Sequence, residues 1–156
     1  MEKKIDIEER VGRAKDLFKS GYNCSQSVFI AYADIFGLDE KLAANISASL
    51  GGGMGRLREV CGAVSGSFLL VGLKYTVDDP SDKEAKAKNY AIVQELASKF
   101  RERNGSIICR DLLGLTSGIK ESSVPSERTE EYYKHRPCAE YIGIAARIIG
   151  EKLNEE

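Results

Sequence analysis

A very apolar segment, VCGAVSGSFLLVGLKY, occupies residues 60–75. Its residues are apolar or small around the whole circumference of a helix, and Lys74 near its end is its one charge. Such a helix is expected where other elements surround it. At 16 residues it is too short to cross a bilayer, which takes about 20 apolar residues. The segment therefore predicts the central helix of a bundle.

Helical periodicity recurs on both sides of this segment. Asn23 followed by Gln26 is a capping-box pattern, and Asp39 is a second N-cap signal. The glycine-rich residues 51–55 are predicted to form a loop, because each glycine costs a helix about 1 kcal/mol. We expect further helices near residues 7–18, 23–37, 39–50, 81–103, 106–113, 127–134 and 137–153.

Details of these helices can also be predicted. Ser106 is expected to cap a short helix and Pro137 to occupy the first position of the last one. The long helix is expected to bury one face, formed by Tyr90, Val93, Ala97 and Phe100. No strand shows period-two alternation with a turn partner. The sequence predicts a single all-α domain over residues 1–156, a helical bundle of about six or seven helices.

Composition excludes several classes of protein. Apolar residues make up 42% of the chain and charged residues 30%. These fractions are typical of a globular protein. The formal net charge of −1 argues against a dedicated nucleic-acid binder, which usually carries a basic excess. The charged N-terminal residues do not resemble a signal peptide, and no membrane span is expected. We therefore expect a cytoplasmic protein with reduced thiols.

Four cysteines carry the strongest functional signal. No C-x-x-C pair occurs, so a zinc ribbon or a thioredoxin-type motif is not supported. Each cysteine falls at or near a predicted helix start, where backbone N–H groups and the helix dipole favour a thiolate. Each also begins an apolar stripe, so the four helices could bring their sulfurs together. These residues are Cys24, Cys61, Cys109 and Cys138.

Two less specific interpretations stand beside this one. Cysteine often serves as a small core hydrophobe, so the four could be inert packing residues. The single histidine, His135, either tunes or replaces a nearby thiolate or belongs to a basic surface cluster with Lys134 and Arg136.

The motifs around the cysteines resemble a known family. Residues 61–66, CGAVSG, fit a C-G-A-x-x-G motif that follows a glycine-rich loop. One cysteine precedes it in GYNCSQS (residues 21–27), and two follow in CRDLLG (residues 109–114) and in RPC (residues 136–138). In order and spacing the chain resembles the C_GCAxxG_C_C family of redox-active proteins over residues 10–153. The resemblance implies that the four cysteines are the defining site residues.

Three functions remain open at this point. The first is an electron carrier whose four cysteines bind an iron–sulfur cluster, with Gly52, Gly53, Gly62 and Gly66 offering backbone to the cofactor. Gly62 and Gly66 lie four residues apart on one helical face, so close approach of another helix is the alternative interpretation for these two. The second is metal-free thiol–disulfide chemistry, with Cys61 as the candidate nucleophile. The third is a zinc-binding or purely structural helical module. The redox partner is not identified, and the oligomeric state is open, with a homodimer one option.

Overall fold

A computed structural model describes residues 4–115 and 121–155, with the side chains of Lys134 and His135 left out. The all-α prediction is confirmed, and the one β pairing in the described ranges is an isolated antiparallel bridge between Val60 and Ile108. No described helix is long and apolar enough to span a bilayer. The described residues form eight right-handed α-helices: α1 Ile7–Lys19, α2 Cys24–Ala33, α3 Glu40–Ser47, α4 Gly62–Lys74, α5 Lys83–Asn104, α6 Cys109–Leu112, α7 Glu130–His135 and α8 Cys138–Leu153.

Several helix boundaries follow the local signals in the sequence. Asn23 and Gln26 form the predicted capping box, in which each side chain bonds the other residue's backbone N–H. The Asp39 carboxylate accepts the N–H of Leu42 and begins α3 as expected. At the other end of α5, Gly105 adopts the left-handed conformation with φ of 86° and stops the helix.

Other boundaries differ from the prediction for physical reasons. The apolar helix begins at Gly62 rather than at residue 60, because Val60 takes part in the bridge to Ile108. Ser106 is not an N-cap: its hydroxyl accepts the N–H of Ile108 and donates to Asp111. Pro137 lies at the N-cap position, one residue before its predicted place.

The core surrounds α4 as its sequence predicts. Residues 62–67 of α4 are all buried, and their principal partner is α2, of which residues 27–33 are buried. Helix α8 packs against α1, α2 and α4, and the Tyr32 hydroxyl of α2 donates to the Ala146 carbonyl of α8 across 2.6 Å. The bundle therefore places the N-terminal turns of α2, α4 and α8 next to one another.

The predicted inner face of α5 is wrong at one position. Tyr90 is 61% exposed, whereas Ile92, Leu96 and Phe100 are buried. Ile92 lies about 200° around the helix from Tyr90, so the buried face is rotated away from Tyr90 while it still includes Ala97 and Phe100. The packing of α5 against α4 and α8 therefore buries Ile92 and Leu96 and leaves Tyr90 outside the core.

Candidate functional site

The glycine loop before α4 is a left-handed turn. Residues 52–56 all have positive φ, between 61° and 70°, and the Gly55 N–H donates to the Gly51 carbonyl across 2.9 Å. Left-handed backbone costs a non-glycine residue roughly 1–2 kcal/mol. Met54, Arg56 and Arg58 nevertheless adopt it. Strain of this kind persists only where the surrounding structure enforces it, and it concentrates at functional sites.

The bridge at Val60 fixes the positions of two cysteines. The Cys61 N–H donates to the Ile107 carbonyl across 2.7 Å, and the Cys109 N–H donates to the Glu59 carbonyl across 2.6 Å. A Cβ on Gly53 would lie 2.7 Å from the Cys109 Cβ, so the glycine permits this close approach. Backbone pairing thus holds Cys61, the N-cap of α4, beside Cys109, the first residue of α6.

Cys24 and Cys138 form the other half of the cluster. Cys24 is the first residue of α2 and Cys138 the first residue of α8. The two thiols interact, and hydrogen bonding between them shifts their pKa values in opposite directions. The Asn23 side chain, which caps α2, also donates to the Ala48 carbonyl across 2.9 Å and so ties the helix start to the segment before the glycine turn.

All four cysteines line one cavity of about 400 Å³. Cys61 and Cys109 are buried, whereas Cys24 and Cys138 are partly exposed, and all four are free thiols. The structure therefore brings together every cysteine that the sequence singled out. The same cavity is lined by three of the four glycines proposed to face a cofactor: Gly52, Gly53 and Gly62.

The fourth glycine, Gly66, serves helix packing. A Cβ at this position would lie 2.7 Å from the Ser25 carbonyl oxygen. Gly66 therefore allows α4 to approach the backbone of α2 directly. Gly62 has the same role one turn earlier, because a Cβ there would lie 3.1 Å from the Cys24 Cβ. These two glycines bring the starts of the two helices together, which is the close helix approach given as one of the two interpretations for this pair.

The four thiols differ in acidity. The hydrogen bond from Cys24 lowers the pKa of Cys138 to about 7, and nearby arginines add to this effect. The same hydrogen bond, together with burial, raises the pKa of Cys24 well above its usual range. Burial raises the pKa of Cys61 to about 12, although the N–H groups at the start of α4 oppose it. Burial also raises the pKa of Cys109, against the opposing charge of Arg58.

Arginines make the cavity electropositive. Arg56 and Arg58 both donate to the same carboxylate oxygen of Glu121 across 2.9 Å, and Arg58 also approaches the Cys109 sulfur at 3.6 Å. Arg128 donates to the Phe18 and Tyr22 carbonyls at the end of α1. Arg136 completes the set of four arginines found among the described residues that line the cavity.

Of these arginines the sequence pointed only to Arg136, as part of a basic surface cluster, and it gave none of the four a role at the thiols. A signal was present, because Arg58 precedes Cys61 by three residues and Arg136 precedes Cys138 by two. Their role depends on the left-handed turn and on the start of α8, neither of which a periodicity pattern reveals. The side chain of His135, for which two interpretations were given, lies outside the described part of the chain, as do residues 116–120.

A single metal ion does not fit the arrangement of these thiols. Among the described residues, no group of three or more histidine, cysteine, aspartate or glutamate side chains is placed so that it could hold one ion. The zinc site considered from the sequence needs about four such ligands at tetrahedral positions. The structure therefore lends no support to that alternative.

Comparison with known proteins identifies the family. Neither the curated proteins nor the solved structures give a match to the chain. A family model described as "Putative redox-active protein (C_GCAxxG_C_C)" matches residues 22–152, a range that contains all four cysteines and the glycine turn. This match covers most of the chain and agrees with the resemblance seen in the motifs. The protein belongs to the C_GCAxxG_C_C family.

Proposed function

We propose that this protein is a thiol-based redox protein in which Cys24 and Cys138 form the reactive dithiol. The observation that carries the proposal is the position of both cysteines at one cavity wall, where each is the first residue of its helix, α2 or α8. One thiol of the pair is acidic and the other is not. Such a pair provides an attacking thiolate near neutral pH and a second thiol beside it.

The reaction is an exchange between the dithiol and a substrate disulfide. The Cys138 thiolate attacks one sulfur of the disulfide, so that a mixed disulfide forms and the other substrate sulfur leaves as a thiolate. The leaving thiolate takes up the proton of Cys24. The Cys24 thiolate then attacks the Cys138 sulfur and forms the Cys24–Cys138 disulfide. The second substrate sulfur leaves as a thiolate and takes up a proton from the solvent. The substrate gains two electrons and two protons, and a thiol reductant restores the dithiol.

The surroundings of Cys138 favour it as the nucleophile. Cys138 is partly exposed, and the charges of Arg136, Arg58 and Arg128 favour its thiolate. Cys61, which the sequence favoured, is 6% exposed and its thiol is held in the protonated form by burial. Cys138 is therefore the better candidate to attack a disulfide near neutral pH.

Serine variants of all four cysteines test this function. The reduced chain is treated with a small disulfide, and the products are mapped by mass spectrometry after thiol blocking. We expect a Cys24–Cys138 disulfide in the native chain and in Cys61→Ser and Cys109→Ser. Cys24→Ser is expected to stop at the mixed disulfide on Cys138, and Cys138→Ser to react much more slowly. A native chain that remains fully reduced under these conditions would refute the proposal.

An iron–sulfur cluster is a second candidate, favoured by the presence of four thiols rather than two around one electropositive cavity. Thiolate sulfur is the ligand such clusters require, and Cys24, Cys61, Cys109 and Cys138 are the residues that would hold it. A bound cluster would supply one-electron transfer. The arginines and helix N-termini of this chain would offset its negative charge.

The two candidates predict different patterns among the same four variants. Anaerobic reconstitution with iron and sulfide, followed by iron analysis and visible absorption, measures cluster binding. If a cluster is the resident cofactor, all four serine variants should lose most of the bound iron. If the dithiol is the site, disulfide formation should depend on Cys24 and Cys138 alone. An unchanged, colourless native chain after reconstitution would remove the cluster candidate.

A further inference from the structure

Among the described residues, the charged side chains that line the cavity are all positive. Its walls include four arginines, and among the described residues that line it there is no aspartate or glutamate. Glu121 lies close by, yet its single carboxylate is shared between Arg56 and Arg58. One negative charge cannot balance two guanidinium groups, so the cavity keeps an excess of positive charge with Arg128 and Arg136 in addition.

Two of these arginines also have donors without an acceptor. The Nε atoms of Arg56 and Arg58 are buried and have no hydrogen-bond partner among the described residues. The side chain of Arg58 is only 7% exposed and reaches toward the Cys109 sulfur, so its guanidinium is directed at the thiol cluster. A buried guanidinium N–H without a partner is costly, and an anionic ligand is its natural complement.

The size and walls of the cavity limit what the ligand can be. A volume of about 400 Å³ is that of a small-molecule site and not of a groove for a folded partner. The lining also includes apolar and aromatic side chains, among them Phe18, Leu112, Leu113 and Tyr141. A ligand with a short apolar body and acidic ends matches both features.

We infer that the cavity recognises acidic groups, so that the substrate of the dithiol is a low-molecular-weight disulfide carrying carboxylates. This inference rests on the proposed function for its chemistry and on the arginine cluster for its specificity. The arginines hold the carboxylates while the acyclic body of the substrate lies along the apolar wall, with its disulfide facing Cys138. Arg56 and Arg58 are binding residues in this scheme.

Binding can be tested without any redox step. Suberate is a dicarboxylate with the length of dithiodipropionate but no sulfur, and octanediol is its uncharged counterpart. Calorimetry on the reduced native chain is expected to show suberate binding that weakens as salt is added, and at least roughly tenfold weaker binding of octanediol, because charge attraction is screened by salt. Arg56→Gln should weaken suberate binding about tenfold. Arg103→Gln, which removes an exposed arginine of α5, should leave it unchanged.

A second experiment compares the reaction rates of three disulfides. Dithiodipropionate, hydroxyethyl disulfide and cystamine are anionic, neutral and cationic disulfides of similar size. Their rates of forming the Cys24–Cys138 disulfide are divided by their rates with a free cysteine peptide. We expect the anionic disulfide to react fastest and the cationic one slowest, with normalised rates that differ by roughly tenfold or more. The difference between these rates should become smaller at high salt.

The outcomes separate the two proposals. Suberate binding without disulfide formation by any of the three reagents would refute the dithiol function and leave the anion site in place. Disulfide formation at equal normalised rates, with no binding of suberate to the native chain, would overturn the anion site and leave the dithiol function. The comparison of suberate with octanediol uses the native chain, so it holds even if Arg56→Gln does not fold.

Discussion

The guanidinium of Arg58 lies 3.6 Å from the Cys109 sulfur, although the two residues belong to different segments of the chain. The bridge between Val60 and Ile108 produces this contact, since it aligns the residues that flank both cysteines. A positive charge at this distance favours the thiolate. Burial acts in the opposite direction on the pKa of Cys109 and outweighs it.

Replacing Arg58 by glutamine should therefore make Cys109 less acidic. Loss of the charge and of the hydrogen bond raises the pKa of this thiol further, so we expect alkylation of Cys109 at neutral pH to slow by roughly threefold or more. Peptide mapping after timed iodoacetamide treatment measures the rate. Arg110→Gln is the matched control, because Arg110 follows Cys109 in sequence but donates to the Leu57 carbonyl. Equal rates in the two variants would contradict the role of Arg58.

The reactivity of Cys138 should depend on pH and on Cys24. With a pKa of about 7 for Cys138, its alkylation rate should rise with pH and reach half its maximum near pH 7. In Cys24→Ala the donor to the thiolate is lost, so the midpoint should move to higher pH. Cys24→Ser keeps a hydroxyl donor and should show a smaller displacement. A midpoint that is the same in all three chains would show that the hydrogen bond has no influence on Cys138.

Gly66 should be irreplaceable for steric reasons. Gly66→Ala places a methyl group 2.7 Å from the Ser25 carbonyl oxygen. We expect this crowding to lower the free energy of unfolding by about 1–3 kcal/mol. Gly72→Ala on the same helix meets nothing within 4 Å. It should raise the free energy of unfolding through helix propensity, by up to about 1 kcal/mol. Urea unfolding measures both, and a stable Gly66→Ala would mean that α4 and α2 are less closely packed than described.

Asn23 should matter more than an ordinary N-cap. Asp82→Ala removes the side-chain cap of α5, at a distance from the cysteines, and should cost about 1 kcal/mol. Asn23→Ala removes the cap of α2 and also the bond to the Ala48 carbonyl. We therefore expect it to lower the free energy of unfolding by about 2 kcal/mol. It should also alter the alkylation rate of Cys24, which Asp82→Ala should leave alone. Matching stabilities and matching rates in the two variants would contradict this role.

The sequence predicted the parts of the site that depend on local signals. Capping residues and apolar stripes are local, so the helix starts at Cys24 and Cys138 could be recognised from the order of residues alone. The left-handed turn could not be predicted, because a run of glycines indicates a loop but not the sign of its φ angles. The contact of Arg58 with Cys109 depends on pairing between residues far apart in the chain. Tyr90 shows the same limit, since only tertiary packing determines where the buried face of α5 ends.

The wide separation of Cys24 and Cys138 along the chain has a consequence for the whole fold. A covalent bond between them would close a ring of backbone that contains most of the helices. Closing a loop of roughly 100 residues removes unfolded-state entropy equivalent to about 4–5 kcal/mol in the chain-entropy model. The oxidised form would then melt at a higher temperature and resist proteolysis longer. The lifetime of the protein would therefore depend on the redox conditions around it.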